Sequence, residues 1–445
     1  MGSYQKSVLK VGCRVTEALQ VDTLQKMFES ALVERSKKAM IDRTIQIVER
    51  KVKRRGVSLT KSQKFRLRKL LLSERFSSMA LRFRGKPKSF SQPITFTKKD
   101  VQQVERYSRS LFSNLQGIIE EVSAPQAHLL LDTLRKSWPS QRARDRGFIK
   151  GFERRLIASW KTPLDLLEMH VHIALELGTG FNEQHRQVAK LKKPLLIEVL
   201  NRLHARSCQV AAEVLVLLKC GFSDGAMARW RTLHEIAVTS LFIRKHGEKM
   251  ARRYLCYEAI ESYKGAQQYQ RYCRRLGHES FSQAEMKEIE DARSGAINEF
   301  GKSFGENYGW AASVLKHSNP TFAQIEENIG LNHLRPYYKM ASQNVHADPK
   351  GAIFRLGLNG ERFLLAGPSN MGLVEPGHST AISLLQVTSC LLFLQSTLDN
   401  VVLVKVMMIL SDEIGTAFSK AHEKIEAREK KLRPKEEIKT SPETV

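Results

Sequence analysis

Residues 221–247, GFSDGAMARWRTLHEIAVTSLFIRKHG, decide how this chain is read. Ala226, Trp230, Leu233, Ala237 and Leu241 step by four, three, four and four, which is the spacing of one buried stripe on a helix. Gly221 ends the element before it, Ser223 or Asp224 is placed to cap the first turn, and Gly247 closes the helix behind His246. Arg231 and His234 lie along the flank, one turn apart. Glu235 follows Arg231 by four residues, so the three can touch one another or a ligand wedged against a neighbouring helix.

Outward from this stretch the apolar spacing stays helical from Phe152 almost to the end. Pro194 opens the preceding helix, which runs through Leu200, Val210 and Leu217 to Gly221. Lys249–Leu276, Ser282–Phe304 and a short helix capped by Thr321 follow. A last helix, roughly His378 to Lys424, is apolar nearly all round over its first two-thirds and is expected to thread the bundle centre. One stretch breaks the pattern. IFRLGLNGERFLL, residues 353–365, sets Asn359-Gly360 between two apolar runs, the signal of a β-hairpin. The expected fold is therefore all-α: a multi-helix bundle over 152–427 with one small β-hairpin at 353–365.

The N-terminal side differs in charge. Of the net +26, residues 1–90 hold 23 Lys+Arg against 7 Asp+Glu, or 23 − 7 = +16. Helices are expected over 13–55 and 60–82, the second presenting Lys64, Arg66 and Arg68, and RFRGKPKSFSQP (82–93) reads as a linker. The organisation expected is a basic helical extension (1–95), a helical connecting region (96–151), the bundle, and a charged tail (428–445). Within the connecting region, helices at Asp100–Val122 and Gln126–Trp138 precede a second basic patch of Arg142, Arg144, Arg146 and Lys150. Such charge fits nucleic acid or another anionic surface. Six scattered cysteines without CxxC spacing, and no apolar N-terminal run, point to a reduced, cytoplasmic protein. The apolar run Ala381–Leu410 is broken by Asp399, Asn400 and Lys405, so no membrane span is expected.

A second polar constellation lies in LRPYYKMASQNVHADPKG, residues 334–351. On a helix from Pro336, Tyr338, Ser342 and His346 share one face with Arg335 a turn ahead, and Asn344 and Asp348 flank the histidine. An Arg, Tyr, Ser and His in one stripe can grip a phosphate and move a proton near neutral pH. The same types also serve as plain helix-end hydrogen bonders. Arg231, His234, Arg335, Ser342 and His346 are the candidate catalytic residues, and Arg229, Tyr338, Asn344, Lys64, Arg66 and Arg68 the candidate substrate contacts. Glu258 and Glu261 are placed to neutralise Arg229 or Arg231. His170 and His172 lack ligand spacing, no Gly-rich phosphate loop or HExxH is present, and neither metal nor cofactor is expected.

GFSDGAMARWRTLHE, RYLCYEAIESYK, ENYGWA and NHLRPYYKMASQNVHADPKG, within about 152–425, resemble a bacterial domain family of unknown function. More loosely, the helical bundle resembles the HEPN ribonucleases (higher eukaryotes and prokaryotes nucleotide-binding), whose signature is an Arg followed a few residues on by a His. Here Arg231 and His234 are separated by two residues and Arg335 and His346 by ten, so an equivalent site has to be assembled across helices. That likeness implies a protein acting on or sensing RNA, a metal-independent ribonuclease of antiphage defence, with an antitoxin-like partner and a homodimer among its expected associations. The alternatives are a non-catalytic nucleotide or nucleic-acid binding module and a structural scaffold.

Overall fold

The computed structural model describes residues 21–73, 93–111, 115–192, 194–347, 349–358 and 364–432. Among them every regular element is helical. The chain divides into two compact units, Met1–Ile149 and Lys150–Val445.

The first unit contains α1 (Val21–Lys53), α2 (Lys61–Leu72), α3 (Lys98–Leu111) and the start of α4 (Leu115–Lys192). Thr60 begins α2 with a capping box, its hydroxyl accepting from Gln63 N at 3.2 Å while Gln63 Oε1 accepts from Thr60 N at 2.9 Å. Ile45, Val48, Val52, Leu59 and Leu67 form the core between α1 and α2. Lys64 pairs with Glu49 and Arg68 with Asp42, so two of the three basic side chains expected to meet nucleic acid tie α2 to α1, while Arg66 is exposed. Hydrogen bonds from Lys51 and Thr97 hold the Asp100 carboxyl well below the usual carboxylate range. The expected helical stretches 13–20 and 74–82 and the linker at 82–93 lie almost wholly outside the described residues, as does the tail beyond Leu432. Gln126–Trp138 is not a separate short helix, because α4 runs through it and past the second basic patch.

The second unit continues α4, which leaves helical geometry at Trp160 (φ −109°, ψ 18°). Pro163, three residues on, has no N–H to give the preceding turn, which accounts for the kink. Then come α5 (Leu195–Lys219), α6 (Ser223–His246), α7 (Glu248–Cys256), α8 (Glu258–Tyr272), α9 (Gln283–Phe300), α10 (Ala312–Leu315), α11 (Phe322–Asn328), α12 (Arg335–Val345), α13 (Pro349–Ile353), α14 (Val374–Leu392) and α15 (Leu398–Leu432). The stretch 221–247 is the central helix, α6, packed on α5, α12 and α14. Its burial exceeds one stripe, since Met227, Val238, Phe242 and Ile243 are buried along with Trp230, Leu233 and Ala237. The Trp230 indole N–H donates to Ser379 O at 2.9 Å and Ser383 Oγ at 3.0 Å, so its polar edge is satisfied inside the core.

Three expectations need correction. Among the described residues of 353–365 there is no strand: Ile353 ends α13, Leu356–Leu358 is a 3₁₀ turn, and 359–363, with Asn359-Gly360, lie outside the described residues. The backbone groups that a hairpin ladder needs are engaged elsewhere. Leu356 N donates to Asp224 Oδ1 at 2.9 Å and Gly357 O accepts from Ser369 Oγ at 2.7 Å. Asp224 lies inside the first turn of α6 and is not its cap, and the cap residue, Phe222, makes no side-chain cap bond. Nor is 378–424 one helix. The chain turns between α14 and α15, where Thr397 Oγ1 accepts from Asn400 N at 3.2 Å and Asn400 Nδ2 donates to Leu392 O at 3.0 Å and Gln395 O at 2.8 Å. α15 does not thread the centre, since Leu398, Val402 and Ile409 on it are exposed.

Two buried histidines make the fold sensitive to acid. His170 Nε2 bonds Ala381 O at 3.1 Å and His204 Nε2 bonds Thr388 Oγ1 at 3.2 Å. Burial draws both pKa values down from 6.5 to about 4. Between those values the unfolded chain binds more protons than the folded one, so the contribution of each neutral ring is complete above pH 6.5 and is lost as pH falls toward 4. The loss is on the order of 3 kcal/mol per ring. Urea unfolding from pH 7.5 down to 4.5 should show midpoints falling steeply for the native chain and less steeply for His204→Asn. Parallel curves would count against this assignment.

Candidate functional site

Three helices bring the ionisable residues of the bundle together. α6 supplies Arg231, His234 and Glu235, α12 supplies Arg335 and Tyr338, α11 supplies Glu326, and His346 stands just past the end of α12. A capping box at Thr321 starts α11, and Pro336 in the first turn of α12 fixes where that helix begins. His346 leaves the helix in extended conformation (φ −100°, ψ 145°), its N–H donating to Ser342 O at 3.0 Å. The expected single face from Tyr338 to His346 therefore ends one residue early, and the imidazole is exposed.

Arg231 is the hub. Its Nε donates to Glu235 Oε1 at 3.1 Å, its Nη2 to the Tyr338 hydroxyl at 2.9 Å, and its Nη1 lies 3.5 Å from His346 Nε2. The Tyr338 hydroxyl in turn donates to Glu235 Oε1 at 2.7 Å. Burial and then Glu235 push the Tyr338 phenol well above its ordinary value, so it is a neutral hydrogen-bond donor. Its ring carries two guanidiniums, Arg231 at 4.8 Å and Arg335 at 5.2 Å from the centroid.

Beneath lies a sealed ionic layer. Glu326 has no exposed side-chain surface, and it accepts from His234 Nε2 at 2.9 Å and from Arg335. A carboxylate so buried is tolerable only with such partners. His234 is equally sealed, and its Nδ1 has no partner. The network therefore assigns a neutral ring with its proton on Nε2, since a second N–H would be buried without an acceptor. Arg335 is a third exposed at its side chain and committed to Glu326.

Of the residues expected from the sequence, Arg231 meets the exposed His346 and the buried Tyr338, while His234 and Arg335 join at Glu326. Ser342 Oγ donates to Tyr338 O at 2.9 Å and so serves its own helix. Asn344 lines a cleft of about 520 Å³ beside His346, together with Phe222, Asp224, Gln343 and Arg355. Arg229 stands apart, paired with Glu213 on α5. Glu213 and Glu235, not Glu258 and Glu261, neutralise Arg229 and Arg231: Glu261 pairs with Lys264 and Glu258 accepts from Ser262. Asp348 lies outside the described residues, and Lys64, Arg66 and Arg68 belong to the other unit.

Two residues were not anticipated. Glu326 sits in a segment whose only sequence signal is the Thr321 cap. The Tyr308 ring is tilted against Phe322 with centroids 6.0 Å apart, and Phe322 packs on Tyr338 at 5.1 Å. Burial and then Glu235 raise the Tyr308 pKa, which places this phenol in the same electrostatic field. Tyr308 has a left-handed backbone (φ 54°), and a Cβ on Gly309 would come within 2.3 Å of Phe304 O. Buried Arg253 fixes the turn by donating to Trp310 O at 2.8 Å and Gly309 O at 3.1 Å. ENYGWA was thus visible as a motif, although its role in presenting Tyr308 was not.

Fold and cluster together define an all-helical bundle with an ionisable site between its central helix and α12. Residues 197–363, which contain every residue of that site, match the model of a family of unknown function (DUF5677). No curated protein and no solved structure matches the chain. The likeness to the HEPN ribonucleases gains no support from these comparisons. No described helix is long and apolar enough to cross a membrane.

Proposed function

We propose that this protein acts on RNA, with Arg231 and His346 as the working pair. The observation that carries the reading is their meeting at 3.5 Å from positions 115 residues apart, with the imidazole exposed at the edge of the cleft. In this mechanism Arg231 binds a non-bridging oxygen of the scissile phosphate. His346 takes the proton of the 2′-hydroxyl as the 2′-oxygen attacks phosphorus; the bond to the 5′-oxygen breaks, and that oxygen takes a proton from water. Tyr338 and Glu235 hold Arg231 in place, and Glu326 with His234 and Arg335 braces α11 against α6 and α12. The setting we propose, on the HEPN likeness alone, is bacterial antiphage defence in the cytoplasm.

The test is incubation of the intact protein with labelled RNA and with DNA of the same sequence, each with and without a chelator. Cleavage of RNA alone, unaffected by the chelator, is the expected result; cleavage of both, or of neither, overturns the proposed chemistry. A binding-only reading is favoured by one observation: Glu235 and Tyr338 hold the Arg231 guanidinium through Nε and Nη2, which makes it a fixed phosphate-binding group that needs no proton transfer. RNA bound at this site but left intact would select it.

The charge of residues 1–90 carries a separate expectation. Each phosphate contact contributes about 0.7 to the salt slope of binding to a single strand. A chain lacking these residues should bind RNA with a shallower dependence on salt, and an unchanged slope would remove them from the interface.

A further inference from the structure

We infer that the part of α4 in the first unit is a docking surface for single-stranded RNA, distinct from the Arg231–His346 site. From 123 to 148 this helix has no buried position, which is unusual for so long a helix, since a folded helix ordinarily hides one face. Its surface is not merely solvated. Arg135, Trp138, Arg142 and Arg146 step by three, four and four and are all exposed, so they form one stripe, and Arg144 and Phe148 run beside it. Trp138 is 57% exposed and Phe148 46%.

Charge complementarity names the occupant. From 135 to 148 the helix holds Arg135, Lys136, Arg142, Arg144 and Arg146 against Asp145 alone, or 5 − 1 = +4. The Arg135 contact with Asp132, at 3.5 Å between two exposed side chains, leaves that guanidinium available. Arginines at one-turn intervals suit phosphates. An exposed indole among them suits the π-face of an unpaired base, and a duplex hides those faces. A single strand satisfies both. The choice of RNA over DNA rests on the function proposed above, whereas the stripe itself does not use that site.

Tryptophan emission tests this in the full-length chain. The other three tryptophans, Trp160, Trp230 and Trp310, are buried, so Trp138 is the one that solvent and ligands reach. Titrating a short single-stranded RNA while reading emission and the anisotropy of a label on the RNA should show quenching that tracks binding. Trp138→Phe should remove the quenching, and Trp138→Ala should weaken binding by about 5- to 100-fold. Arg142→Gln with Arg146→Gln should lower the salt slope by about 1.4. RNA binding with unchanged emission and an unchanged slope would overturn the stripe and leave the RNA reading standing. Quenching and binding without cleavage would sustain the stripe and sink the nuclease. A blue shift on vesicles of anionic lipid, with no response to RNA, would mark a membrane surface and overturn the proposal, as would the absence of any RNA binding.

Discussion

Trp230→Ala should lose about 3–5 kcal/mol of stability, the cost of emptying a large buried site that its surroundings fill only in part. Trp230 is 1% exposed in the main core cluster of the bundle, among Leu233, Leu384 and Phe418. Its removal also deprives Ser379 O and the buried Ser383 Oγ of a donor. Lys249→Ala, on the exposed side of α7, should stay within about 0.5 kcal/mol of the native chain. Urea unfolding of both variants reads the difference directly. Equal midpoints would mean that α6 is not the helix on which the bundle is built.

The second large effect is on activity. His346→Ala should lower RNA cleavage by about 10²–10⁴-fold, the range expected when a general base is removed. The exposed imidazole packs into no core, so the melting temperature should shift by no more than a few degrees, which is what a change of ~1 kcal/mol gives. Arg231→Ala should also abolish cleavage while the protein stays folded, because Tyr338 and Glu235 still bond each other at 2.7 Å when the guanidinium is gone. His234→Ala should behave differently. It strips a hydrogen-bond donor from the sealed Glu326, and leaving a buried group without its partner costs about 1–3 kcal/mol, more where the group is charged, so that variant should fail in stability first. Loss of fold in the Arg231 variant would return the surface cluster to a structural role.

What could be read beforehand divides along physical lines. The central helix was legible because its signals are local: Gly247 turns at positive φ (72°) behind His246, and the apolar steps from Ala226 to Ala237 are buried as spaced. The N-cap of α11 at Thr321 was legible for the same reason. The hairpin reading failed because Asn359-Gly360 reports only a local preference, while Asp224, 132 residues before Leu356, takes the backbone N–H that a strand would have used. The break before α15 was hidden in an apolar run, where one polar pair, Thr397 and Asn400, outweighs the helical period. In the site, spacing along one helix related Arg231 to Glu235. No spacing could reveal that a buried Glu326 joins His234 to Arg335, because that contact exists only once α11 is folded against α6 and α12.

The central claim, that the exposed His346 beside Arg231 drives cleavage of RNA, is tested most directly by end-group analysis. Labelled RNA is incubated with the native protein and with folded His346→Ala in the presence of a chelator, and the new termini are identified. Attack by the 2′-oxygen requires 2′,3′-cyclic phosphate and 5′-hydroxyl ends from the native protein and none from the variant. Intact RNA with the native protein, or the same ends in equal yield from His346→Ala, would contradict it.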